Sequence, residues 1–437
     1  MSYSLTLIGP VALAALVLWG RERVSQRWFS YLAGWVAANG VLVLVAAVPG
    51  LWHGEWRAIF LSTTALVAAT SAWDSGHWLR EHPRVAPHRY YLWWSLFWGA
   101  LLVISMSQNV AVSWLAIEFS TLASSAAIVE MGDRRALEAA WKYVVIASVG
   151  LVLALIGIIF IYASLRAGSL GWAALNYSYL AAHSPATAPV IRLLATIFVV
   201  SGFGTKAGLV PFHTWLPDAH SEAPSPVSGL LSGVLLGLTV FTIARFVAAV
   251  PTPSSSWLNG GHLLTIFGTL SIVAGALALF VQRDIKRLLA YSSVEQVGLM
   301  AVAVGIGTPL AIWAALLQFV LHAVVKSTLF YGAGHLSVAY GTTRLARITG
   351  LAQAAPRAAW WWAVGVLALA GLPPLGLAYS EWLILVQLWV QHADALALLV
   401  GGALTLTFAA LTYHLMHTLW GTRAPARDDR VTAEGTP

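Results

Sequence analysis

Gly202-Phe-Gly-Thr-Lys206-Ala-Gly-Leu-Val-Pro211-Phe-His213-Thr-Trp-Leu-Pro217-Asp218-Ala-His220-Ser-Glu222-Ala-Pro-Ser-Pro226 closes an apolar run that begins near Pro189. It places a lysine deep in a hydrophobic segment, breaks that segment at a proline, and leaves it through a polar, proline-rich exit. A plain membrane anchor needs none of these. A lysine at the bilayer centre costs roughly 2.5–3.5 kcal/mol on insertion scales, and a broken helix is tolerated there only where freed backbone lies against protein or trapped water. Both costs together point to a site that moves ions.

The rest of the chain has the same character. Over 437 residues, 59% are apolar and 9% charged, and apolar runs recur that can each cross a core of about 30 Å. Composition therefore excludes a soluble protein and predicts an all-α polytopic membrane protein. Hydropathy gives thirteen spans, at about 4–20, 30–48, 58–79, 90–106, 109–130, 138–164, 189–213, 225–247, 262–281, 286–306, 309–336, 358–390 and 394–421. The seventh is broken at Pro211 and the twelfth at Pro373-Pro374. Leu5 to Leu18 is followed, not preceded, by basic residues, which reads as a retained helix and not a cleaved leader. There are no cysteines, which rules out disulfides and cysteine-held iron–sulfur clusters within the chain. His414 and His417 share a helix face, but no helix offers an opposing axial pair, so neither haem nor any other cofactor is expected, and no metal.

The net charge of +7 is a topology signal and not a nucleic-acid footprint. Loops after odd-numbered spans hold most of the arginines, from Arg21 and Arg80 through Arg134, Arg283 and Arg344 to the tail. The opposite side holds Arg57, Arg166, Arg192 and Arg245. The positive-inside rule then sets the C-terminus in the cytoplasm of a bacterial-type inner membrane and the N-terminus outside. Lys142, Lys206 and Lys326 fit no loop. Lysine can give up its proton when buried and arginine cannot, so this partition suits a proton path.

Span five carries Glu118 and span ten Glu295; span six carries Lys142 and span eleven Lys326; span seven carries Lys206 and span twelve Glu381. Partners lie about 175–185 residues apart, the separation of two five-helix units. Five being odd, the second unit must be inverted. The domain reading is thus residues 1–88 as an N-terminal three-helix segment, 89–250 as the first repeat, 262–421 as the second, and 422–437 as a cytoplasmic tail.

Lys206 is the leading functional candidate, with Glu118 as its natural partner. Glu381 follows the second break, where freed backbone can hold water. Gln318, His322 and Lys326 recur at i, i+4 and i+8, so they share one face, and histidine can relay protons near neutral pH. Lys142 and Glu295 are weaker candidates, Lys142 because it lies near enough to its span end to snorkel. His213 stands beside the break. Asp218, His220 and Glu222 are read either as a cytoplasmic proton entry or as solvated turn residues.

With those residues in place, spans four to thirteen resemble the antiporter-like membrane subunits of respiratory complex I, group 4 hydrogenases and Mrp-type sodium/proton antiporters. The resemblance rests on Lys-Ala-Gly-Leu-Val-Pro-Phe-His-Thr-Trp-Leu-Pro-Asp-Ala-His-Ser-Glu-Ala-Pro-Ser-Pro, on Arg283-Asp-Ile-Lys-Arg-Leu-Leu-Ala-Tyr-Ser-Ser, on His322 with Lys326, and on Gly-Leu-Pro-Pro-Leu-Gly before Ser-Glu381. The Ser-Val-Glu295-Gln and Pro-Pro-Leu-Gly forms are most similar to hydrogenase-4 component F. It implies two linked half-channels, Glu118 with Lys206 in the first and Glu381 ending the second, joined by a hydrated axis through His322 and Lys326. It implies partner membrane subunits and a cytoplasmic energy-coupling protein: a redox module, a protein handling inorganic carbon, or an antiporter assembly moving sodium. The chain departs from the pattern at Gly237, where many relatives carry a lysine or histidine bridging the halves, and in lacking the extra C-terminal helices of the largest relatives.

Overall fold

The apolar runs form helices, and side-chain caps set the start of several of them. In the computed structural model, which describes residues 55–165, 168–253 and 256–421 and the single position 34, the side chains of Asn109, Asp133, Asn259, Asp284 and Thr308 each accept from backbone amides of the first turn of a helix. The principal helices are α1 (Trp56–Glu81), α2 (Pro87–Met106), α3 (Val110–Val129), α4 (Arg134–Ser164), α5 (Pro189–Ala207), α6 (Trp215–Glu222) and α7 (Ser225–Ala249). They continue as α8 (Gly260–Val281), α9 (Ile285–Ile306), α10 (Pro309–Ala339), α11 (Pro356–Leu369), α12 (Gly376–Val390) and α13 (Asp394–Trp420). Among the described residues there is no β-strand, and eight helices are long and apolar enough to cross a membrane: α3, α4, α5, α7, α8, α9, α10 and α13. The expected spans at 4–20 and 30–48, and the tail at 422–437, lie outside the described residues.

Both expected breaks are present, but proline does not end either helix. α5 stops at Ala207 because Gly208 turns left-handed, and the Leu209 amide bonds back to the Gly204 carbonyl. α11 stops at Leu369; Gly371 turns left-handed, and the Leu372 amide bonds back to Leu367. Each is a left-handed glycine C-cap with the prolines just beyond it, in Gly-Leu-Val-Pro and Gly-Leu-Pro-Pro respectively. Helical structure resumes at Trp215 and at Gly376. Two boundaries differ further from expectation. Asp133 caps α4, which starts at Arg134, four residues before the expected start, and the stretch after α4 contains a short helix, Tyr177–His183, whose Tyr177 amide bonds to the Gln108 carbonyl.

α7 is the axis of the bundle. The whole of its apolar window is buried, and it packs against α5, α9, α10 and α1. It contains a widened π-type turn at Leu231–Leu235, where Ser232 meets Ser293 of α9 at 2.7 Å. α8 and α9 pack backbone to backbone: a Cβ at Gly268 would lie 2.6 Å from the Gly298 carbonyl oxygen. Such close crossing of small residues is how membrane helices gain packing where lipid offers no hydrophobic drive.

Candidate functional site

Lys206 occupies the last turn of α5, where a cation suits the helix dipole. It is fully buried. Its ammonium donates to Thr121 Oγ1 of α3 at 2.8 Å and to the Tyr143 hydroxyl of α4, which in turn is 2.9 Å from Ser124 Oγ. The charge also lies 4.4 Å from the centre of the Tyr143 ring and 5.5 Å from that of Trp215, rings that stack on each other. Hydroxyls and π-faces thus replace the water that a lysine gives up on burial.

Glu118 is not ion-paired with Lys206. Its Oε1 accepts from Ser148 Oγ at 2.7 Å while Oε2 is buried without a partner. The carboxylate lies one turn before Thr121 on α3, close enough to act on the lysine through space. The expected direct pair is therefore a pair separated by Thr121, because the ammonium reaches the nearer hydroxyls first.

Lys142 does not enter this cluster. It sits in the third turn of α4, 36% exposed, paired with Glu138 and, at 3.9 Å, with Asp218. Helical geometry explains the exchange: the face of α4 turned inward carries Tyr143, Ala147, Gly150 and Ala154, and Lys142 is one residue around from it. In this cluster Tyr143 was not evident from sequence, since a tyrosine in an apolar span looks like packing until its hydroxyl is seen on an ammonium.

The second cluster joins α9, α10 and α12. Gln296 Nε2 bridges Glu295 Oε2 at 3.2 Å and Glu381 Oε1 at 3.1 Å. Gln318 donates to Gln296 Oε1 and accepts from Ser380. Lys326 donates to the Leu289 carbonyl at 2.6 Å and to Ser292. Gln318, His322 and Lys326 all face inward and are fully buried. His322 lies beside the Ser232 backbone of α7, and neither ring nitrogen reaches a partner in hydrogen-bond geometry. The structure thus brings Glu295, Glu381 and Gln318 into one network and sets His322 and Lys326 along the same helix. Gln296, Ser292 and Ser380 complete it; their polarity at helical spacing in otherwise apolar spans was the available signal.

The exit segment divides. Asp218 is half-buried and bonds Arg287 at 2.7 Å. Glu222 is half-buried, and burial lifts its carboxyl above its ordinary value, with Asp133 nearby adding to the shift. His220 is neither a mouth residue nor a solvated turn residue. It is fully buried, stacked on Phe330 of α10 at 4.7 Å, because α6 folds back under the bundle instead of leaving it. His213 is half-buried beside the break, with Nδ1 unpartnered and the Tyr291 ring 6.2 Å away. Lys286, in the first turn of α9, is buried and donates to the Ala223 carbonyl at 3.0 Å.

A family model described as NADH:quinone oxidoreductase/Mrp antiporter, TM matches residues 107–407. The chain belongs to this family. The match spans every residue of both clusters, so this is an antiporter-like membrane subunit of the complex I, Mrp and group 4 hydrogenase type. It is similar to a hydrogenase-4 component F homolog of Methylacidiphilum infernorum (isolate V4), 34% identical over 411 residues, covering 91% of this chain and 86% of that protein. It is also similar to NADH-quinone oxidoreductase subunit N of Desulforudis audaxviator (strain MP104C), 31% identical over 390 residues, covering 86% and 71%. Its fold matches a chain of the membrane-bound sulfane sulfur reductase, an archaeal respiratory membrane complex, with a TM-score of 0.85 at 22% identity over 98% of this chain and 91% of that one. It likewise matches a chain of the Mrp complex from Dietzia sp. DQ12-45-1b, with a TM-score of 0.81 at 20% identity over 96% and 81%.

In this antiporter-like subunit the departure at Gly237 is built in. A Cβ there would lie 2.3 Å from Cδ2 of Phe319, which packs with Phe60 and Phe241 at ring-centre distances of 5.6 and 5.9 Å. Gly237→Lys is expected to destabilise the purified chain by at least about 1–3 kcal/mol, through overpacking and the cost of burying an ammonium in this fully buried helix. Adding Phe319→Ala should recover part of that loss, read as the unfolding midpoint in lipid nanodiscs; no recovery would mean that Phe319 is not what excludes a side chain at 237.

Proposed function

We propose that this chain is a proton-translocating subunit of a complex I-like or group 4 hydrogenase-type assembly, working through two inverted five-helix repeats at 89–250 and 262–421. One observation carries the reading. Lys206, fully buried at a helix break, is held only by neutral hydroxyls, Thr121 and Tyr143, with the nearest carboxylate held off by one turn. A lysine fixed by a full ion pair would be locked in its charged form. One solvated by hydroxyls can exist as ammonium, donating to them, or as amine, accepting from them.

Glu118, then, takes and gives the proton that switches Lys206. In the second half, His322 and Lys326 continue the path toward Glu381, which stands in the first turns of α12, where a carboxylate suits the helix dipole. Gln296 and Gln318 do not titrate, so they carry no net proton themselves; they orient Glu295 and Glu381 toward one another across α9 and α12. The like alignment of the two left-handed glycine breaks supports the repeat. The arginines at one end of the bundle, Arg80, Arg89, Arg134, Arg287 and Arg344 among them, support that end being cytoplasmic, in an inner membrane. Partner membrane subunits and a cytoplasmic coupling protein would supply or use the energy.

Glu118→Gln keeps the Ser148 hydrogen bond but removes the titrating group. In proteoliposomes of the parent complex it should slow coupled proton flux by at least about tenfold, equivalent to about 1.4 kcal/mol on the limiting step. Flux at the parental rate would refute Glu118 as a proton carrier, and flux that follows a sodium gradient instead of protons would assign the chain to sodium/proton exchange.

A further inference from the structure

A third group of titratable side chains lies outside both clusters, where α1 meets α10. His335 Nε2 is 2.8 Å from Asp74 Oδ1, and its Nδ1 is 3.3 Å from Glu81 Oε1. Side-chain exposure falls inward, from 42% at His335 and 32% at Glu81 to 10% at Asp74. Glu81 is the last residue of α1, and His335 lies one turn from the end of α10, so the rim of the group stands at the end of the bundle that also carries Arg287 and Asp218. Asp74 is the inner member, and its second oxygen, Oδ2, is buried with no partner.

We propose that Asp74, Glu81 and His335 form a second proton-collecting site, separate from the Asp218 and Glu222 end of the exit segment. Two carboxylates and one imidazolium leave one negative charge, which one more proton neutralises. That proton arrives from water at Glu81 on the rim, and His335 gives its Nε2 proton to Asp74 Oδ1 across their 2.8 Å contact. Asp74 and Glu81 are then both acids, and the neutral imidazole keeps its Nδ1–H toward Glu81. Titratable groups facing the site are Asp74 and Glu81 from α1, Tyr90 from α2, and Tyr331 from the preceding turn of α10. Inward of Asp74 lie buried hydroxyls: Ser75 with Tyr90 at 2.7 Å, and Ser71 donating to the Pro226 carbonyl at 2.8 Å. Ser71 thereby leads to the start of α7, beside Ser225, whose hydroxyl is also buried without a partner. A simple helix clasp would not need this graded exposure, nor would it leave its inner carboxylate half unpaired.

This inference rests on the proton-translocating reading, and the test separates the two. Initial proton uptake is measured in proteoliposomes of the parent complex from about pH 6 to about pH 10, so that protons become scarce at the alkaline end. Asp74→Asn and the rim variant Glu81→Gln are expected to slow uptake about tenfold at the alkaline end, where protons are scarce, and little at the acid end. Glu81→Asp should restore the rate. Equal rates at every pH, or an equal loss at every pH, would overturn the site, the latter marking a structural clasp. If Lys206→Met stops flux while the Asp74 and Glu81 variants match the parent, only this site falls. If the parent complex moves no protons, the proton reading falls and takes the site with it.

Discussion

Lys206→Met is expected to stop proton flux through the complex while leaving the fold standing. The two effects separate because they depend on different properties of the side chain. Transport requires a group that can be charged or neutral, and methionine has none. Stability depends on the balance of burial: removing a buried ammonium recovers a desolvation penalty of several kcal/mol. Against that, the hydroxyls of Thr121 and Tyr143 lose a partner, at about 1–3 kcal/mol for a group left wholly unsatisfied. Both keep other bonds, Thr121 to the Ile117 carbonyl at 3.2 Å and Tyr143 to Ser124 at 2.9 Å, so the loss falls at the lower end. Methionine also fills the volume of the lysine stem beside the stacked Tyr143 and Trp215 rings. The purified variant should therefore unfold at or above the parental midpoint in nanodiscs, with flux at the level of protein-free vesicles. A variant that still conducts would remove Lys206 from the pathway, and one that fails to assemble would make its role structural.

Gly371→Ala should disable the second half as severely as removing Glu381 itself. Gly371 has a φ of 73°, and a Cβ built there would lie 2.3 Å from Glu381 Oε2. A left-handed conformation costs an L-residue roughly 1–2 kcal/mol, which the chain can survive. The larger effect is steric and falls on the carboxylate. Glu381 must rotate away, and its 3.1 Å bond from Gln296 goes with it. Gly208→Ala is the internal comparison. Its φ is 77°, but the nearest atom is Leu216 Cδ1 at 2.5 Å, the tip of a side chain that can turn aside. Both variants should lose similar stability, and only Gly371→Ala should lose flux to the extent of Glu381→Gln. Equal flux in the two alanine variants would separate the second break from the chemistry of Glu381.

Much of the plan was legible in the sequence because the bilayer imposes it. Runs of about twenty apolar residues have few alternatives to a spanning helix, so the positions of α3, α7, α8, α9, α10 and α13 could be read within a few residues. A lysine or glutamate inside such a run is costly enough to single out, which is how Lys206, Glu118, Glu295, Lys326 and Glu381 were found. Gly-Leu-x-Pro marked both helix breaks, although their cause is the left-handed glycine and not the proline. What hydropathy could not give was the rotational setting of each helix. One residue of rotation separates Lys142, paired with Glu138 and Asp218 at the bundle end, from Tyr143, bonded to the buried ammonium. A fold-back of α6 separates a solvated His220 from one sealed against Phe330. The sequence determined which groups are stranded in an apolar medium, because transfer cost belongs to each residue. The tertiary structure alone decided which of them meet, because hydrogen bonds depend on distance and direction, and neighbours brought together from distant spans set both.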